Sequence, residues 1–399
     1  MNTLFFTQLS TLLFSLLAIC WGLIIYHHLL YPWLLGRLGS RNTRRTVTEP
    51  ATSNWQPTIS LVIPAYNEAA VIADKIRNVA SLDYPADKLQ LIIACDGCSD
   101  ATADIARRTA REAECRQIHI HIEDFQENRG KVAVLNDIIS QLDCDIVALS
   151  DASALISIDA LLQASQAFQN NQTGFVAATY KLLNPGSQGE ADYWQYQTRI
   201  KCNEANIGSP VGVHGALYFF RRKLFSPLPA DTINDDFILP MQMVMAGYKG
   251  VYLLDIVALE LEEASLQMDE KRRVRIAAGN LQQLLRLARL TLPRYKGTAF
   301  TFTSGKALRA LMPAILALQW VLCCLLAAES QLLLALSILQ PLGFACAALS
   351  KQLPAGMLPG KIETLFYLAN GYRASFTGML RYCIGLERGC WKPVSKDSQ

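Results

Sequence analysis

Acidic, basic and hydroxyl side chains collect at a few separated points of this 399-residue sequence, each next to an apolar run. Ile146 to Leu149 is apolar and stops at Ser150-Asp151-Ala152-Ser153. Ligands of open α/β sheets bind beyond the carboxyl ends of the strands, so a carboxylate there can meet a divalent cation and the phosphates it carries. Taken alone, Asp151 is also explained as a helix cap or turn residue. Ile63-Pro-Ala-Tyr-Asn-Glu68 and Asp96-Gly-Cys-Ser-Asp100 follow two other short apolar runs in the same way. Each by itself is an ordinary loop and cap. Arg129-Gly-Lys131 places a glycine and a cation at a helix start, where backbone N–H groups and an ammonium can meet phosphate oxygens, without the spacing of a P-loop. Asn234-Asp-Asp236 precedes a helix, as an N-cap and its acidic neighbours would. Cys95 and Cys98 have C-x-x-C spacing, but no second pair lies at a zinc-type distance. A thioredoxin-like role is the alternative reading of that pair, and reduced cytoplasmic thiols are the expectation.

Buried strands alternating with helices must position these groups. Short apolar runs at Ile59–Ile63, Leu89–Ala94, Ile118–Ile122, Asp145–Leu149, Phe175–Tyr180, Gly215–Phe220 and Gly250–Leu254 predict strands. Helical spacing predicts helices over Glu68–Ser81, onward from Asp100 to Arg111, and over Lys131–Leu142, Ala191–Asn206, Phe237–Ala246 and the basic stretch Asp269–Leu290. Such alternation argues an α/β fold, its mostly parallel sheet flanked by helices.

Composition adds a membrane. The chain is 51% hydrophobic with a formal charge of +3 and a mean hydropathy of +0.18. No basic tract suggests nucleic acid. No Asp, Glu, Lys or Arg occurs from Met1 to Gly36, and residues 12–30 are long enough for one span. A cleaved signal peptide would want a basic start and a small-residue cleavage site, neither of which is evident. Arg37, Arg41, Arg44 and Arg45 follow, which by the positive-inside rule keeps that end cytoplasmic. Ala310–Ala328 and Ser330–Ser350 are uncharged with only Glu329 between them, predicting a hairpin of two membrane helices; a long buried soluble hairpin is the alternative. The tail from Lys361 to Lys396, with Arg373, Arg381, Arg388 and Trp391, suits an interfacial helix. The expected organisation is a transmembrane helix at 1–36, a linker at 37–56, a catalytic domain at 57–290, an interfacial connector at 291–309, a transmembrane hairpin at 310–350, and an interfacial helix with basic tail at 351–399.

In this order the motifs closely resemble the nucleotide-sugar half of the inverting glycosyltransferases of family 2, related to cellulose, chitin and hyaluronan synthases. The resemblance runs from about Pro57 to Gln283 and implies a GT-A fold with transmembrane helices at both ends. It implies that Ala65, Tyr66, Glu68 and Asp96 hold the nucleoside, and that Gly130 and Lys131 lie near the diphosphate or uracil. Asp151 is implied to bind Mg²⁺ or Mn²⁺, although Ser153 stands where the family's Asp-x-Asp motif has its second carboxylate. One or two protein carboxylates commonly suffice for Mg²⁺. Asp236 matches the family's general base and Asp235 its supporting or acceptor-binding neighbour. Val213-His-Gly-Ala resembles the segment that shapes the acceptor site, with His214 and Gly215 as contacts, although a solitary His is more often structural. Arg272-Arg-Val-Arg-Ile276 occupies the place of the Gln-x-x-Arg-Trp motif of processive members: Arg275 matches its Arg, Arg272 replaces the Gln, and Ile276 replaces the aromatic. A solvated or lipid-facing basic face is the plain alternative for Arg272 and Arg273.

The resulting expectation is an integral membrane protein of a prokaryotic inner membrane with its catalytic domain cytoplasmic. It would transfer a hexose-type sugar from a nucleotide diphosphate, UDP by expectation, to a lipid-linked or growing polysaccharide acceptor in exopolysaccharide or envelope-glycan synthesis, alongside partner subunits of an export system. The alternatives are a processive synthase that exports its polymer, and a non-catalytic glycan-binding membrane subunit. A dinucleotide oxidoreductase is disfavoured because no G-x-G-x-x-G follows the first strand.

Overall fold

The computed structural model describes residues 2–40, 55–185, 188–261, 266–353 and 357–387. Arg41, Arg44, Arg45, Arg388 and Trp391 lie outside the described residues. The amino-terminal helical run comprises α1 (Asn2–Ile25), a π turn (Tyr26–Leu30) and α2 (Tyr31–Ser40). The α/β part follows with β1 (Ile59–Ala65), α3 (Ile72–Ala80), β2 (Leu89–Asp96), α4 (Thr102–Thr109), β3 (His119–Phe125), α5 (Lys131–Gln141) and β4 (Ile146–Ser150). It continues with β5 (Ala154–Ile156), α6 (Ala160–Phe168), β6 (Thr173–Leu182), α7 (Gln188–Ile207), β7 (Leu217–Arg221), α8 (Asp235–Met245), β8 (Lys249–Glu260) and α9 (Leu266–Arg286). The carboxyl-terminal helices are α10 (Gly297–Thr301), α11 (Leu308–Leu325), α12 (Gln331–Leu349) and α13 (Gly360–Cys383).

Among the described residues eight strands form one sheet in the order β3-β2-β1-β4-β7-β6-β8-β5. Strands β3, β2, β1 and β4 are mutually parallel, as are β6 and β8, whereas β7 runs antiparallel to both β4 and β6, and β5 to β8. The sheet is therefore mixed and mostly parallel, as expected. Short β5 and the far half of β8 have no clear counterpart in the apolar pattern. Strand β5 is only three residues long, and the far half of β8, which opens on Asp255, is held between β5 and the end of β6.

The continuous apolar run of β1 reflects burial on both faces. Leu61 and Ile63 join Ile72, Ile76, Ala106 and Leu161 in one core, beneath α3, α4 and α6. Val62 points the other way, into a core with Val134, Leu135, Ile238 and Met241 from α5 and α8. These two layers bring different helices to opposite sides of the same strand ends.

Among the described residues, three helical runs are long and apolar enough to cross a membrane: Gln8–Ser40, Gly297–Leu325 and Gln331–Leu349. The second starts inside the stretch expected as a connector, because α10 and α11 are joined by a π segment, Phe302–Ala307. Leu17 and Cys20 of α1 pack with Leu322, Cys323, Leu326 and Leu333, so the first run sits against the hairpin. Helix α13 lies along α9, tied by Arg373 donating to Glu270 at 2.8 Å.

Candidate active site

Parallel pairing delivers the carboxyl ends of β1, β2 and β4 to one rim, with Ala65 opposite Cys95 and Val62 opposite Leu149. The Ala65 carbonyl accepts the Cys98 thiol at 3.5 Å. Tyr66 and Glu68 lie half-buried in the turn beyond, where the Glu68 N–H donates to Thr102 Oγ1 at 2.8 Å. Between them Asn67 takes a left-handed φ of 56°, and its side-chain oxygen accepts the Ser99 N–H at 2.8 Å. These bonds lace the first two motifs into one surface. Asp96 is buried, and its two carboxylate oxygens accept the N–H groups of Arg129 and Gly130, each at 2.8 Å. It thus clamps the loop that starts α5 and aims Lys131.

The acidic residues converge on that lysine. Lys131 Nζ is 3.3 Å from Asp151 Oδ1, beyond β4, and 3.7 Å from Asp235 Oδ2, at the first position of α8. A β-carbon on Gly215 would sit 3.4 Å from Asp151 Oδ2 and 3.5 Å from Asp236 Oδ2, so both carboxylates border the one-carbon gap that Gly215 leaves. The Val213 N–H donates to the Asp236 carbonyl at 3.2 Å and fixes this approach. Burial alone would lower Lys131, but Asp151, Asp235 and Asp236 outweigh it and raise its pKa. Burial would raise Asp151, but Lys131, His214 and Arg272 hold it below its usual value. Asp236 goes the other way: burial, followed by the neighbouring Asp235 carboxylate, pushes it up to about 6. One carboxylate is thereby kept anionic and another poised near neutrality, the arrangement that separates a charge-binding group from a proton acceptor.

His214 is half-buried against the Tyr180 ring, with centroids 3.8 Å apart and planes at 20°, and meets the Trp194 ring edge-on at 5.1 Å. Burial first, then Arg272, pull its pKa down to about 3. Its Nδ1 accepts the Ala216 N–H at 3.1 Å, so the neutral ring carries its proton on Nε2. A neutral ring of such low basicity makes a poorer proton acceptor than Asp236.

Helix α9 holds the loop that leads into α8. Gln282 Oε1 accepts the Ile233 N–H at 3.0 Å and its Nε2 donates to the Asp231 carbonyl at 2.7 Å. Arg275 Nη1 donates to the Ile233 carbonyl at 3.3 Å, beside the acidic pair. Gly279 permits the contact, since a β-carbon there would lie 2.4 Å from Asn234 Nδ2. Arg272 is exposed on the same helix and acts electrostatically on Asp151 and His214. The structure thus brings Asp151, Lys131, Gly215, Asp235 and Asp236 into one centre, with Arg275 and His214 at its margin and Ala65, Tyr66, Glu68, Asp96 and Gly130 on the adjoining rim.

Sequence reasoning missed Lys75 of α3. Its Nζ donates to Ser150 Oγ at 2.7 Å and to the Ala154 carbonyl, on either side of the Asp151 turn. Burial lowers its pKa to about 7, opposed by Asp151 and Glu260. The signal was a cation inside the helical apolar stripe of Ile72, Ile76 and Val79.

The model of the glycosyltransferase-like family 2 matches residues 57–279, more than half the chain. This chain belongs to that family. A poly-beta-1,6-N-acetyl-D-glucosamine synthase of Staphylococcus aureus (strain COL) is 28% identical over 236 residues, 57% of this chain and 56% of the relative. The Staphylococcus epidermidis protein of the same name is 27% identical over the same shares. The chain spans about half the length of these relatives. Among solved structures, the mannosyltransferase PcManGT from Pyrobaculum calidifontis, in complex with GDP-Man and Mn²⁺, aligns with a TM-score of 0.69. It is 23% identical and the match covers 92% of this chain and 99% of that one, which shows a shared fold. The chain accordingly carries a glycosyltransferase-like family 2 domain with a GT-A fold, together with membrane-capable helices.

Within the glycosyltransferase frame, the residues fit a divalent cation held by few protein ligands. Among the described residues no group of three or more ligating side chains gathers. The Asp151 carboxylate is open to the cleft and 36% exposed. Asp235 Oδ2 is buried without a hydrogen-bond partner, and the gap at Gly215 adjoins both Asp151 and Asp236. An ion that completes its shell with phosphate oxygens and water suits such a donor set.

Proposed function

We propose that this protein is an inverting glycosyltransferase that moves a hexose-type sugar from a nucleotide diphosphate sugar, UDP-linked, to a lipid-linked or growing glycan at the cytoplasmic face of a prokaryotic inner membrane. Exopolysaccharide or envelope-glycan synthesis is its setting. The observation that carries this reading is the meeting of Asp151, Lys131 and Asp236 around the gap at Gly215. In it, Ala65, Tyr66, Glu68 and Asp96 line the nucleoside end, and Gly130, Lys131 and Arg275 face the diphosphate. A Mg²⁺ or Mn²⁺ ion held by Asp151 would supply Lewis-acid stabilisation of the charge growing on the leaving diphosphate. Asp236 takes the proton of the acceptor hydroxyl from the face opposite the leaving group, which inversion requires. Asp235 keeps the pKa of Asp236 high and Lys131 keeps it from rising further. His214, Gly215 and Arg272 border the acceptor.

A processive synthase is the second reading, favoured by the name of the staphylococcal relatives and opposed by Ile276, which offers no aromatic face for a sugar ring. A screen of nucleotide sugars with purified protein, lipid extract and Mn²⁺ tests both readings. Release of nucleoside diphosphate with a single added sugar supports the first, long polymer supports the second, and no release from any donor overturns both.

A further inference from the structure

Lys75 is fully buried on the apolar face of α3, beside Ile72 and Ile76. Burying an ammonium is costly unless its protons find acceptors, and the two acceptors of Lys75 bracket a single turn. Ser150 Oγ precedes Asp151, and the Ala154 carbonyl follows Ser153. The Ser150 hydroxyl, accepting a hydrogen bond from Lys75, donates one to the Ala216 carbonyl at 2.7 Å. That carbonyl also accepts the Asp151 N–H at 3.3 Å and directly follows Gly215, whose missing β-carbon leaves the gap that both carboxylates border. A chain of hydrogen bonds thus runs from Lys75 through both ends of the 151–153 turn to the wall of the site.

The geometry is two-sided. Lys131 reaches Asp151 from α5, which packs on one face of the sheet, whereas Lys75 comes from α3 on the other. A site with Ser153 in place of a second carboxylate has one fewer ligand to orient an ion, so the direction of the remaining carboxylate matters more. Partners behind a metal ligand fix its orientation and tune its affinity.

We propose that Lys75 is a positioning residue for divalent-cation binding: by tying the two ends of the 151–153 turn together, it sets the direction from which Asp151 alone grips an ion on the donor diphosphate. This rests on the metal-binding role proposed for Asp151. The test uses purified full-length protein with UDP, following free Mn²⁺ by electron paramagnetic resonance during titration, and measuring UDP affinity without metal and thermal stability in parallel. Wild type should bind Mn²⁺ in a manner lost in Asp151→Asn. Lys75→Met should weaken Mn²⁺ by about 10–100-fold, and Ser150→Ala, which keeps the lysine but frees one end of the turn, by several-fold, with metal-free UDP affinity unchanged in both. Should Lys75→Met not fold, Ser150→Ala decides. Wild-type Mn²⁺ affinity in both variants, or in Ser150→Ala alone where Lys75→Met does not fold, with only a lower melting temperature, overturns the positioning role and leaves the Asp151 assignment standing. Undiminished Mn²⁺ binding by Asp151→Asn overturns the metal-site assignment itself, and this inference with it.

Discussion

Asp236→Asn should separate stability from catalysis. Asp236 ordinarily would ionise near 3.8 but sits at about 6, because it is partly withdrawn from water and faces Asp235. A difference of that size disfavours the anion in the folded chain by ~3 kcal/mol. Its access to the cleft screens part of this, leaving about 1–2 kcal/mol recoverable. The sign follows from a folded pKa raised above the unfolded one: this contribution to stability is full below about pH 3.8 and is lost as pH rises through about 6. Asparagine cannot ionise and keeps it. The variant should therefore melt a few degrees higher than wild type at pH 8 and match it at pH 4, in detergent-solubilised protein followed by fluorescence. Sugar transfer at pH 8 should fall by about 10²–10⁴-fold, the usual contribution of a positioned base. Undiminished transfer, or a lower melting temperature at pH 8 alone, would refute the reasoning.

Wild-type kcat/KM should rise with pH through an apparent value of about 6 as Asp236 loses its proton, and Lys131→Met should move that limb upward, since Lys131 lowers the Asp236 pKa; a pH–rate series checks both. Ser153→Asp should tighten Mn²⁺ binding by supplying a second carboxylate beside Asp151, measured as a lower half-saturating Mn²⁺ concentration for donor hydrolysis. Gly279→Ala places a methyl 2.4 Å from Asn234 Nδ2 and should cost about 1–3 kcal/mol; because α9 holds the loop into α8, activity should drop along with the melting temperature.

Much of the framework was readable because both faces of β1, β2 and β4 are covered, which makes their apolar runs continuous and their polar stops abrupt. Those stops are the rim: Tyr66, Asp96 and Asp151 each follow such a run. The acidic pair at Asp235 and Asp236 was legible as a helix start, but its closeness to Asp151 depends on β7 entering antiparallel beside β4, a pairing that periodicity does not encode. Lys75 was overlooked because three apolar neighbours, Ile72, Ile76 and Val79, mark its helix face as core, and only the folded turn reveals what its ammonium meets. The stacking of His214 on Tyr180 likewise joins residues distant in sequence. The π segment Phe302–Ala307 joins α10 to α11, so that helical run begins before the uncharged stretch that marked it in sequence.

Nucleoside diphosphate release by purified protein, compared across wild type, Asp151→Asn and Asp236→Asn with a UDP-sugar panel and Mn²⁺, tests the central claim most directly. The account predicts release from at least one donor by wild type, loss of both Mn²⁺ dependence and rate in Asp151→Asn, and loss of acceptor-dependent transfer in Asp236→Asn with donor binding retained. Release by both variants at the wild-type rate, or by none of the three proteins, would contradict it.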